Sequence, residues 1–108
     1  MDRAYRSEHI VMAAIHYEDG IKREHQPTNV KSGIVVGGLR HTHCLMTLHY
    51  LLGENYKVSL AGPRNQGFVT SNNRFVFRKE ALTIAIKRNQ LICNPHNPRI
   101  GLFSEDLY

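Results

Sequence analysis

The period of the apolar positions changes along the chain, and each change marks an element. From His9 to Tyr17 both faces of an extended segment are apolar, with Ile10, Met12 and Ala14 on one and Val11, Ala13 and Ile15 on the other. A strand of that kind belongs at the centre of a sheet. Glu18-Asp19-Gly20 carries turn chemistry, and the polar run from Ile21 to Pro27 ends in proline, which fits an edge strand or a loop. Asn29 to Leu39, centred on Gly33-Ile34-Val35-Val36-Gly37-Gly38, reads as a second strand. At His41 the period becomes helical: His41, Leu45, Leu48 and Leu52 fall on one stripe, Cys44 and Leu51 widen it, and Gly53 stops it.

Glu54 to Gln66, with Gly62-Pro63, reads as a loop. Gly67 to Thr70 and Arg74 to Phe77 form a short hairpin about the turn Ser71-Asn72-Asn73. Arg78 to Asn89 is a second helix, with Ala81, Leu82, Ala85 and Ile86 inward and Lys79, Thr83 and Lys87 towards water. Asn94-Pro95 and Asn97-Pro98 make Leu91 to Gly101 a turn-rich connection, and Leu102 to Tyr108 is either a last strand or a docked terminus. Strands, helix, loop, hairpin, helix and tail predict an α+β fold: a small antiparallel-rich sheet with two helices packed on one face. The whole of 1–108 reads as a single ligand-binding domain.

Composition adds a sign. The 108 residues suffice for one core, and 42 % hydrophobic with 21 % charged residues excludes wholesale disorder. Fourteen Lys+Arg against nine Asp+Glu leave +5 with the seven histidines neutral, an excess that suits a small or local anionic partner. The start of the chain mixes Asp2, Arg3, Arg6 and Glu8, and the apolar run from Ile10 to Ile15 is shorter than a secretory or membrane segment needs. Cys44 and Cys93 read as reduced cytosolic thiols.

Two constellations could carry chemistry. In Gly37-Gly38-Leu39-Arg40-His41-Thr42-His43, Gly38 permits close approach of a ligand, Arg40 offers a guanidinium fork, and His41 and His43 open a helix whose N-terminus favours anions. The plainer alternative is a tight turn with Arg40 on the surface. A zinc site among His41, His43, His49 and Cys44 is disfavoured, because helical positions i and i+2 point about 200° apart, so His41 and His43 could share an ion only if the segment were strand, and Cys93 and His96 would have to complete the shell. Cys44 lies on the apolar stripe and reads as an inert core thiol.

The second constellation runs from Gln66 to Ala81. Phe68 or Phe75 can stack on a base, Thr70, Ser71 and Asn73 can bond ribose or base edges, and Arg74 and Arg78 can neutralise phosphate. One of the two rings is expected in the core and the other over a ligand. An ordinary hairpin, with Phe buried and Arg in water, is the alternative. The acids are scattered, with no pair placed for hydrolysis, so binding is favoured over catalysis and no cofactor or metal is expected.

Taken together, His25-Gln26-Pro27, the run Ser32 to Cys44, Gln66 to Ser71, Arg78 to Ala81 and the closing Leu102 to Tyr108 resemble the type one Thoeris anti-defence sponges of phages and prophages. The resemblance spans nearly the whole chain. It departs at Phe77, where Asp or Asn is expected before Arg-Lys-Glu. It implies a homo-oligomeric protein in the cytoplasm of the infected bacterial host. Such a protein sequesters, without cleaving it, a small cyclic nucleotide signal of the cyclic ADP-ribose isomer type; in some relatives cyclic oligonucleotides are also held. A phage accessory module for protein interaction or nucleic-acid binding is the second reading.

Overall fold

The structure, a computed structural model, describes residues 8–108; the sequence reading of the first seven residues lies outside them. Strands β1 (Ile10–Tyr17), β2 (Ile34–Gly38), β3 (Gln66–Thr70) and β4 (Phe75–Phe77) form one antiparallel sheet in the order β2-β1-β3-β4. Helix α1 spans His41–Leu52 and helix α2 spans Arg78–Lys87. The α+β expectation holds, and β1 lies inside the sheet as its two-sided apolar pattern requires.

Register decides which residues share a face. Ala13 lies between Gly38 and Phe68, and Ile15 between Val36 and Gln66. Against this face α2 contributes Ala81, Leu82 and Ala85 to a cluster with Ile10, Ala13, Phe68 and Val76. Helix α1 contributes Cys44 and Leu48 to a second cluster with Ile15, Tyr17 and Val36. The register shifts between Ile10 and Met12, and Val11, expected inside, is 44 % exposed at this bulge.

The opposite face is crossed by a strap. Ile21 to Pro27 forms no strand. Instead Gln26 Oε1 accepts the Val35 N–H (2.8 Å) on the outer edge of β2. Three residues on, the Asn29 amide donates to the Phe75 carbonyl (2.7 Å) and accepts the Phe75 N–H (2.9 Å) on the edge strand β4. The chain between them spans the sheet with Pro27 buried, so two side-chain amides cap both sheet edges. The second strand is correspondingly shorter than expected, because Asn29 to Gly33 belongs to the strap and the turn after it.

Both helical stripes are narrower than their sequence. Leu51 and Ile86 are exposed. In the last turn of α1 it is Leu52 that packs, with Tyr56 and Leu60 of the following turns. In α2 the sheet reaches Ala81, Leu82 and Ala85, and Ile86 stands about 40° beyond Leu82, past the edge of that arc. The tail is a docked terminus rather than a strand: Leu102 and Leu107 are buried with the α2 cluster, and the Leu102 N–H donates to the Arg78 carbonyl at 2.8 Å.

Candidate anion-binding site

Helix α2 follows β4 with no linker. Phe77 is both the last strand residue and the N-cap, and no side chain caps the first turn. The helix therefore presents N–H groups and the positive end of its dipole at the point where the sheet ends. Arg78 is held there by neutral acceptors. Its Nη1 donates to the Leu102 carbonyl (2.8 Å) and its Nη2 to Gln66 Oε1 (2.8 Å), while the guanidinium lies 4.4 Å over the Phe103 ring. Burial pulls its pKa below the usual arginine value, and it remains a cation.

Gly101 brings the next residues to the same place. Its φ of +125° suits glycine, and a Cβ there would lie 2.3 Å from the carbonyl carbon and oxygen of Arg78. That contact carries Arg99 and Ile100 across the start of α2. The result is a cleft of about 420 Å³ lined by Pro63, Arg64, Gln66, Phe77, Arg78, Lys79, Arg99 and Ile100. Four of these residues are cationic and none is a carboxylate. Phe77, at 53 % exposure, offers a ring to solvent.

On the other side of Arg78 lies a smaller cleft of about 290 Å³, lined also by Arg40, His41, Thr42, Phe103, Ser104 and Glu105. Arg40 Nη1 donates to Ser104 Oγ (3.1 Å), Nη2 donates to the main-chain oxygen of Tyr108, and the guanidinium lies 5.2 Å over the Tyr108 ring. The His41 Nε2–H donates to the Gly67 carbonyl (2.8 Å), which leaves Nδ1 as the acceptor 3.5 Å from Arg78 Nη2. Burial, and then the Arg78 charge, hold the His41 pKa below its ordinary value against the pull of the Gly67 carbonyl and Glu105.

The structure separates the remaining sequence candidates from this place. Gly38 packs under α1, where a Cβ would lie 3.0 Å from His43 Cβ. His43 is exposed and its Nδ1 accepts the Arg40 N–H at 3.3 Å. Phe68 is fully buried and edge-on to His41 (5.2 Å between ring centres); Phe75 is 4 % exposed and edge-on to His16 and Phe77. The expectation of one ring inside and one outside this pair is corrected: both are packed, and the exposed ring of the hairpin is Phe77. Thr70 is buried and donates to the Glu8 carboxylate (2.7 Å), Ser71 Oγ accepts the His9 N–H, and Asn73 holds a left-handed turn position at φ 59°. Arg74 is bound to Glu8 (2.8 and 2.9 Å) and Glu80 (2.9 Å). Of the three arginines singled out from sequence, Arg40 and Arg78 share a cleft and Arg74 does not.

Sequence reasoning passed over Arg64 and Arg99, and gave Gln66, Phe77 and Lys79 no binding role although they lie within the second constellation. Their signals were faint. Arg64 and Arg99 each follow a proline in a loop, and Phe77 is an apolar residue directly before Arg-Lys. A larger cleft, about 520 Å³, lies between Tyr17, Leu52 and Leu60, but its charges balance. Arg23 and Lys57 face Asp19 and Glu54, and Arg23 pairs with Asp19 through two bonds of 2.7 and 2.9 Å that lower the Asp19 pKa to about 2. Among the described residues no helix is long and apolar enough to cross a membrane.

A family model described as phage T4 y16D protein matches residues 9–108. No curated protein and no solved structure matches the chain.

Proposed function

The chain belongs to the phage T4 y16D protein family, and on that premise we propose that this phage protein captures a small phosphate-bearing nucleotide in the host cytoplasm without cleaving it. The observation that carries this reading is the cleft at the start of α2, with Arg64, Arg78, Lys79 and Arg99 around it and no carboxylate in its lining. A guanidinium has five N–H donors, and Arg78 commits three to neutral acceptors, Leu102, Gln66 and, more weakly, His41. Its fork is thus fixed in orientation while charge and donors are left for a phosphate. Phe77 at the rim supplies the face on which a base stacks.

The resemblance to Thoeris anti-defence sponges narrows the ligand to a cyclic nucleotide immune signal, of the cyclic ADP-ribose isomer type or a cyclic oligonucleotide. Binding is favoured over catalysis because the cleft at the start of α2 is lined by no carboxylate, thiol or imidazole to move a proton. In the adjoining cleft the His41 Nε2–H is committed to Gly67. Both clefts open to solvent, and a second copy of the chain is the partner that would close them. Light scattering at micromolar concentration checks this, and a monomer counts against it.

The decisive experiment is capture and release. The protein is incubated with cyclic ADP-ribose isomers and cyclic oligonucleotides, the free pool is removed, the protein is heat-denatured, and the released material is analysed. Intact ligand in stoichiometric amount is expected. Altered ligand makes the protein an enzyme. An empty protein that instead binds DNA or RNA with a steep salt dependence returns the cationic cleft to the nucleic-acid reading.

A further inference from the structure

Away from these clefts, the turn-rich segment after α2 and the docked tail bring together Cys93, His96 and Asp106, each with a ligand atom within 4.8 Å of the others. Cys93 and His96 are exposed, whereas the Asp106 side chain is wholly buried. Its carboxylate is oriented by the chain itself. Oδ2 accepts the Phe103 N–H (2.9 Å) and Oδ1 accepts the His96 N–H (3.1 Å). Cys93 Sγ lies 3.9 Å from Oδ1, and His96 Nδ1 meets the same oxygen directly.

We infer that Cys93, His96 and Asp106 form a three-ligand site for a zinc-class divalent cation, which fastens the turn-rich segment to the tail. Thiolate, imidazole and carboxylate is a donor set suited to this borderline ion. Bonds of about 2.0–2.3 Å at tetrahedral angles set ligand atoms roughly 3.3–3.8 Å apart, close to the separation of Cys93 Sγ from Asp106. The fixed member is the buried carboxylate. The two exposed members sit on flexible rotamers and can open around an ion. A fourth position is left for water.

The fold has a use for such a clasp. Leu91 to Ile100 contains no helix or strand, only turns and an isolated bridge between Asn97 and Gly101, and Ile92, Asn94, Pro98, Arg99 and Ile100 in it are exposed. Its hold on the core is otherwise slight: Leu91 packs partly against the α2 cluster and the Ile92 N–H donates to the Asp106 carbonyl (2.9 Å). A metal bridging Cys93 and His96 to Asp106 would tie both ends of the loop that carries Arg99.

Cobalt(II) is the probe, added to the tag-free full chain under reducing conditions. One equivalent is expected to give a thiolate-to-cobalt charge-transfer band and the visible bands of a four-coordinate site, both abolished by stoichiometric zinc. Cys93→Ser should lose the charge-transfer band, and His96→Gln should bind at least 10- to 100-fold more weakly, by comparison with metal sites that lose a supporting group. Cys44→Ala should keep the spectrum, because Cys44 is buried elsewhere and its thiol is pushed up to about 11. Zinc should also raise the melting temperature of the wild type and Cys44→Ala, but not of Cys93→Ser. A wild type with no band, or a Cys93→Ser variant with an unchanged band and the same zinc shift, overturns the site. Neither readout depends on nucleotide binding.

Discussion

Arg74 and Arg78 stand at the two ends of one three-residue strand, and their surroundings are opposite. Arg74 is enclosed by carboxylates: Glu8 takes two bonds from it and Glu80 a third. The bonds from Arg74 lower the Glu8 pKa, and Arg74 itself is driven above the usual arginine value. Arg78 donates only to neutral acceptors, Gln66, the Leu102 carbonyl and His41, with Glu105 and Asp106 acting on it through charge alone, and its neighbours across the cleft are Arg64, Lys79 and Arg99. A carboxylate partner cancels a cation. An amide or a carbonyl orients it and leaves its charge unspent. The excess of +5 is therefore not spread evenly, and the end of the hairpin that holds Arg78 is where an anion gains most.

The largest effect comes from removing what holds the Arg78 end together. Gly101→Val puts a branched side chain at φ +125°, into space occupied by the Arg78 carbonyl and the Lys79 nitrogen. A loss of about 2–4 kcal/mol is expected from strain and undocking of the tail. The melting temperature should fall by many degrees. A variant as stable as the wild type would show that the tail does not depend on this approach.

Next comes a crossed pair of variants. Arg99→Ala should weaken the nucleotide recovered by capture roughly 10- to 150-fold, the loss of one charge-assisted contact of about 1.5–3 kcal/mol, with little change in melting temperature. Arg74→Gln should do the reverse. Its affinity should match the wild type, and stability should fall by about 1 kcal/mol, because the pair is partly exposed and screened by solvent. If Arg74→Gln loses binding and Arg99→Ala does not, the assignment of the two ends is inverted.

These differences explain what the sequence could and could not tell. The α+β class, the bounds of α1 and the inner position of β1 were legible, because they follow from local period. The strap was not. A polar run ending in Pro27 looks like a loop, and nothing local says that Gln26 and Asn29 will reach opposite sheet edges. Several binding candidates have other partners for the same reason. Phe68, Thr70, Ser71 and Arg74 have the right chemistry for a nucleotide, but Glu8 is more than sixty residues away in sequence, and it engages both Thr70 and Arg74. Arg64 and Arg99 come from two loops that only the fold brings to α2. Likewise, Cys93 and His96 were noticed as a pair, but Asp106 read as one of the scattered acids until the tail docked.

The smallest expected effect separates the two ends by pH. At the Arg78 end, His41 has its pKa held below the ordinary 6.5, by burial first and by Arg78 after it. In the window below about pH 6.5 the unfolded chain thus binds a proton that folded His41 resists, and stability falls as the pH drops. At the Arg74 end Glu8 is also lowered, from an ordinary 4.5, chiefly by its bond from Arg74. Its contribution is complete above that value and is lost only as the pH falls through the lower, folded value. Acidification should therefore weaken the Arg78 end first and the Arg74 end later. His41→Gln keeps a donor for the Gly67 carbonyl but cannot take up a proton. Melting curves between about pH 7 and about pH 5 should show a shallower decline for His41→Gln than for the wild type. Below that range the two should fall together, and Glu8→Gln should flatten only the more acidic limb. Equal slopes for wild type and His41→Gln in the upper window would mean that His41 titrates as it does in the unfolded chain. The close packing of the Arg78 end would then have no electrostatic consequence for the imidazole beside it.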